Sequence, residues 1–209
     1  MTSAAQATPA SDYTELPHLL RHGALLGIIQ AVLVALFSVV SRGLDGPLEI
    51  GLEAIILIGG IGAMITLPGL WTKARTIEGI AGAAAIGLFS TAIFMAFDVA
   101  IFQPIQLYTN RWLEIGGGSN WWYHPVWWMV GTYLTWMGAW ILANQTAKNG
   151  QPSVPALVGG TVVVAAIIMA AAALLHFPGA AFGVGTFAVA VLPALALLVA
   201  VTGWGARTA

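Results

Sequence analysis

The chain has 209 residues, 59% of them hydrophobic and 7% charged, with a formal net charge of −1. Soluble domains carry about 25% charged residues, so this composition excludes a chain that could cover itself with a water-facing surface. The near-neutral balance, without a basic block, argues against nucleic acid as a partner. The absence of cysteine excludes disulfides, thiolate metal sites and cysteine nucleophiles.

The chain opens with MTSAAQATPASDYTELP, which is small and polar and lacks the basic start of a signal peptide. Residues 1–20 are therefore expected to be a flexible polar tail, and residues 21–205 one transmembrane domain. Six apolar runs follow, each suited to the roughly 20 residues that a spanning helix needs. They cover residues 24–40, 48–71, 79–102, 125–143, 155–175 and 182–204. Pro47, Pro125 and Pro155 stand at run starts, where the missing N–H costs nothing. Pro68 and Pro104 fall near ends, and Pro193 lies inside the sixth run and predicts a kink. The expected fold is an all-α integral membrane protein, a single bundle of six transmembrane helices. Small-residue stretches such as Gly59–Gly62 and Ala81–Ala85 predict close helix approach.

Lysine and arginine set the expected orientation. Arg21, Lys73, Arg75, Lys148 and Arg207 fall on the side of the termini, and only Arg42 and Arg111 fall on the other. Both termini are thus predicted on the cytoplasmic side of a plasma membrane.

An ionisable residue inside a span is costly and is by default a candidate functional group. Glu49 and Glu53 lie one turn apart in the second run, and Asp98 follows a long apolar stretch in the third. With the termini inside, both carboxylate sets belong to the outer leaflet. So do His124, which opens the fourth run, and His176, which closes the fifth. Glu49, Glu53, Asp98, His124 and His176 form an expected outer polar cluster, a candidate ion, proton or metal site. Solvation at the interface, or pairing with Arg42 or Arg111, explains the same residues singly. If a metal binds, His124 and His176 are its expected ligands, and a bis-histidine haem between them is a further option. Gln30, in the middle of the first run, is expected to hydrogen-bond across helices.

Six of the nine tryptophans lie between Ser119 and Trp140. Trp112, Trp121, Trp122, Trp127 and Trp128 suit an interfacial aromatic belt, since the ring is apolar and its N–H is polar. Trp136 and Trp140 lie deeper. With Trp128 and Thr132 they recur every four residues, and Tyr133 lies alongside, so one broad face of the fourth helix is aromatic. Trp128, Tyr133, Trp136 and Trp140 are the expected contacts for a flat or long hydrophobic ligand, such as a lipid tail, quinone or pigment. Packing against aromatic residues of the third helix is the competing explanation. No catalytic spacing is visible. The expectation is a non-catalytic membrane protein that binds a hydrophobic ligand or serves as a subunit among other membrane proteins. The alternatives are a small proton- or cation-coupled transporter using the carboxylates, and a membrane oxidoreductase with haem or metal at the outer face.

Overall fold

The computed structural model describes residues 12–108 and 123–204, with only the backbone of Tyr123. Arg111, Trp112, Trp121, Trp122 and Arg207, and residues 1–11 of the expected tail, lie outside the described residues. Six α-helices follow in order: α1 (Leu16–Gly43), α2 (Pro47–Trp71), α3 (Ile77–Phe97), α4 (Tyr123–Asn149), α5 (Val154–Leu174) and α6 (Val184–Gly203). A π-helical turn, Asp98–Phe102, continues α3. The described residues contain no strand.

Local chemistry explains the boundaries. Pro17, Pro47 and Pro155 sit in first turns, where their fixed φ suits helix entry. The Thr76 and Ser153 side chains cap α3 and α5, accepting from the Gly79 and Ala156 amides. Three helix ends close with a left-handed residue that is not glycine: Lys73 after α2, Gln106 after the π turn and His176 after α5. At each, the next amide reaches back five residues, as in Leu107 to the Phe102 carbonyl (2.9 Å) and Phe177 to the Ala172 carbonyl (2.9 Å).

Five of the helices are long and apolar enough to cross a membrane. The exception is α4, which is long enough but carries Thr132, Tyr133, Thr135 and the polar run from Asn144 to Asn149. Large aliphatic side chains point outward: Ile55, Ile167, Val189 and Val201 are all more than half exposed. Only 17% of the most apolar stretch of α2, and of α5, is buried inside the protein. Helices that are apolar all round yet largely uncovered need an apolar medium, which is consistent with an integral membrane protein.

The interior is built from small residues instead. α3 packs on α1 and α4, α2 packs on α1 and α4, and α5 and α6 form a pair that rests on α2 and α4. A β-carbon at Gly27 of α1 would stand 2.7 Å from the Ser90 carbonyl oxygen of α3. At the α3–α4 crossing the fit is reciprocal. A β-carbon on Gly87 would overlap the Thr135 hydroxyl, and one on Gly131 would overlap the Thr91 hydroxyl. At the α2–α4 crossing, a β-carbon on Gly138 would overlap the Ile65 carbonyl. In an apolar solvent such van der Waals contact replaces the hydrophobic effect as the force between helices.

At the end of the bundle near the chain termini, residues 12–15 strap the turn between α2 and α3. Asp12 Oδ2 accepts from the Thr76 amide (3.0 Å) and hydroxyl (2.7 Å). The Tyr13 amide donates to the Thr72 carbonyl (3.0 Å). His18 Nε2 donates to the Trp71 carbonyl (3.1 Å), and the rings of His18, His22 and Trp71 pack in succession at tilted angles. Lys148 Nζ donates to the Trp204 carbonyl (2.6 Å), tying the ends of α4 and α6. Arg21, Lys73, Arg75 and Lys148 belong to helix ends and turns on this side, and Arg42 to the other.

Gly131→Val inserts bulk at the α3–α4 crossing and is expected to cost about 1–3 kcal/mol in a detergent-unfolding titration. Gly159, with open space around its Cα, is the control: Gly159→Ala should stay within about 0.5 kcal/mol of the parent.

Candidate functional site

A cavity of about 270 Å³ lies among α1, α2, α3, α4 and α6. Gln30 of α1, Gly60 and Met64 of α2, Thr91 and Phe94 of α3, and Trp127 of α4 line it, with Val191 of α6. Its size approaches the roughly 300–1,000 Å³ range of small-molecule sites, and its wall is almost wholly apolar. Glycine makes the space at one wall, since Gly60 has no atom nearer its β-carbon position than Leu33 Cδ1 at 3.5 Å. The Phe94 and Trp127 rings meet edge to face, centroids 5.7 Å apart at 61°, and form an aromatic corner of the wall.

The polar groups at the cavity form one connected set. Gln30 Nε2 lies 3.1 Å from Ser90 Oγ and 2.7 Å from Met64 Sδ, bridging α1 to α3 and α2. The Ser90 hydroxyl donates to the Gly87 carbonyl (2.8 Å), and the Thr91 hydroxyl donates to the same oxygen (2.9 Å). Back-bonding of this kind lets Ser and Thr sit inside an apolar helix with their hydrogens satisfied.

Beside the aromatic wall lies the Asp98 network. Asp98 is buried at the start of the π turn. Its Oδ2 accepts from Gln103 Nε2 (2.7 Å) and its Oδ1 accepts from the Tyr108 hydroxyl. These bonds fold the segment after α3 back over a cluster of Ala31, Phe94, Phe102 and Leu107, against which Trp127 also packs. Arg42 Nη1 donates to the carbonyls of Gln106 (2.9 Å) and Leu107 (3.3 Å), placing a cation at the carbonyl end of this segment as the helix dipole favours. Burial first, and then the hydrogen bond to Asp98 and its charge, push the Tyr108 phenol well above its ordinary value.

The other sequence-predicted residues are placed as follows. Glu49 is buried and Glu53 half-buried in the first two turns of α2, and both have interaction partners. His124, in the first turn of α4, has a buried Nε2 with no hydrogen-bond partner among the described residues. His176 is exposed and serves as the left-handed closing residue of α5. Among the described residues, no three of the His, Asp and Glu side chains gather as a metal site would need. Trp128, Trp136 and Trp140 are 44%, 41% and 38% exposed and lie outside the cavity. Trp136 and Trp140 rest against each other, centroids 5.9 Å apart. Tyr133 turns inward and donates its hydroxyl to the Leu192 carbonyl of α6 (2.8 Å).

The cavity residues that sequence reasoning did not single out as a site are Gly60, Met64, Thr91, Phe94 and Trp127. Gln30 carried the one visible signal, an amide in the middle of an apolar run, and it does bond across helices. Comparison with known proteins finds no matching family model, no similar curated protein and no similar solved structure.

The raised Tyr108 phenol gives a pH dependence with a definite sign. A folded value above the unfolded one, near 10, means that the stabilisation is complete below about pH 10 and is lost as pH rises through the folded value. The thermal midpoint of the parent should therefore fall more steeply above about pH 10 than that of Tyr108→Phe. At neutral pH, Tyr108→Phe should cost about 1–3 kcal/mol, because Asp98 loses one donor.

Proposed function

We propose that this chain is a polytopic membrane protein of six spans, with α4 crossing alongside the five more apolar helices, and that it binds a hydrophobic ligand in the cavity among α1, α2, α3, α4 and α6. One observation carries the reading: a half-open space of about 270 Å³, walled by apolar and aromatic side chains, among five closely packed helices. Small-molecule sites are concave and mostly apolar, so a recess of this size and apolar character is suited to an apolar occupant.

The topology reading puts both termini on the cytoplasmic side of a plasma membrane. Its support is the excess of Arg21, Lys73, Arg75 and Lys148 at the terminal end over Arg42 at the other, within the described residues. Asp98, with each oxygen held by a neighbouring side chain, is assigned to holding the wall of the cavity rather than to carrying a proton.

Gly60→Leu tests the reading, because the position lines the cavity and its β-carbon site is free of close contacts. Solvent extraction of the protein purified from its own membranes should yield one apolar compound enriched over bulk lipid. That compound should fall by at least about tenfold in Gly60→Leu, a loss of about 1.4 kcal/mol, with an unchanged thermal midpoint. An extract from the parent that matches bulk membrane lipid would count against a specific ligand.

A further inference from the structure

The hydrogen bonds already committed around the cavity assign the polarity of its ligand, an inference that rests on reading the cavity as a hydrophobic-ligand site. Ser90 gives its hydroxyl hydrogen to the Gly87 carbonyl at 2.8 Å. Its oxygen then accepts, and the Gln30 NH₂ lies 3.1 Å away as the donor. The second amide hydrogen has Met64 Sδ at 2.7 Å. Both donors of Gln30 are thus taken, and its Oε1 has no hydrogen-bond partner among the described residues. Thr91, the other polar side chain at the wall, spends its hydrogen on the same Gly87 carbonyl at 2.9 Å. Gln30 Oε1 and Thr91 Oγ1 are therefore both acceptors.

We propose that the ligand is a hydrophobic molecule whose polar group is a hydrogen-bond donor, an alkylphenol- or quinol-type hydroxyl that Gln30 Oε1 accepts. A planar head suits the wall formed by Phe94 and Trp127. The cavity, about 270 Å³ and open on one side, takes a ring as the head group, and an alkyl chain can leave through the opening. A quinone, ester or ether head only accepts, and would set acceptor against acceptor at Gln30.

The test compares para-octylphenol with para-octylanisole, which differ only in replacement of the hydroxyl hydrogen by methyl. Binding is measured by calorimetry on the full chain in lipid nanodiscs, with empty nanodiscs subtracted. The phenol should bind about tenfold more tightly, the difference expected for one hydrogen bond in an apolar site. In Gln30→Leu that ratio should fall to near one. Equal affinities in the parent overturn the donor assignment and leave the cavity reading standing. A tighter anisole also overturns it, since a donor at the wall, such as the Trp127 indole N–H, would then read the head. Binding of neither compound overturns both readings. Undiminished phenol binding in Gly60→Leu places the phenol elsewhere and overturns the assignment to Gln30. The parent ratio is decisive even if Gln30→Leu fails to fold.

Discussion

Two glycines facing two threonines set how closely α3 and α4 approach, and the carbonyl of Gly87 gathers the hydrogens of both Ser90 and Thr91. That oxygen does two things at once. It satisfies the hydroxyls that the crossing buries, so that Thr91 can lie against Gly131 without a stranded donor. It also leaves the Ser90 oxygen as an acceptor, which fixes the direction of the Gln30 amide on α1. Packing between α3 and α4 therefore determines the polarity of a group on a different helix, at the wall of the cavity. A change at the crossing would reach the cavity through these hydroxyls, with no contact of its own to a ligand.

A second set of bonds holds the aromatic part of the wall. Asp98 draws Gln103 and Tyr108 to itself, Arg42 secures the carbonyls that end the segment, and the chain lies over Phe94, Phe102 and Leu107. The π turn matters here because one extra residue per turn re-aims the side chains that follow it. Asp98 thereby looks inward, to its two partners. A carboxylate buried in an apolar helix is expensive when isolated, and this one has a donor on each oxygen.

Five of the six helices were legible in the sequence because a spanning segment must satisfy its backbone internally and present about 20 apolar residues, and the sixth, α4, because its apolar run begins after Pro125. The predicted runs 48–71 and 155–175 match α2 (Pro47–Trp71) and α5 (Val154–Leu174) almost residue for residue. Others run longer than their apolar stretch. α1 begins at Leu16, ahead of Arg21 and His22, and α4 continues to Asn149. Polar residues at a helix end are solvated at the interface and do not stop the backbone. The cavity was not legible, because it is formed by residues from five helices. Sequence periodicity finds a face of α4 that repeats Trp128, Thr132, Trp136 and Trp140, but it cannot say which way that face looks. In water an apolar face marks the inside; in a bilayer both sides are apolar and the distinction disappears. The structure turns inward the neighbouring face, one residue earlier in register: Trp127, Gly131, Thr135 and Ala139. Beyond Trp127, small size rather than hydrophobicity is the mark of that inward face.

The same inversion governs how such a bundle can discriminate among ligands. Apolar contact distinguishes weakly between one hydrophobic molecule and another, and still more weakly when the alternative medium is lipid. A cavity wall of aliphatic and aromatic groups offers shape but little chemistry. Selectivity must then come from the few polar atoms whose direction is fixed, because a buried group left without its partner costs about 1–3 kcal/mol. In this bundle that direction is fixed by the Gly87 carbonyl, which takes the hydrogens of Ser90 and Thr91 and leaves oxygens toward Gln30 and the cavity. A mid-span glutamine in an apolar helix thus has two functions that share one amide. Its nitrogen holds three helices together, and its oxygen remains an acceptor without a hydrogen-bond partner among the described residues.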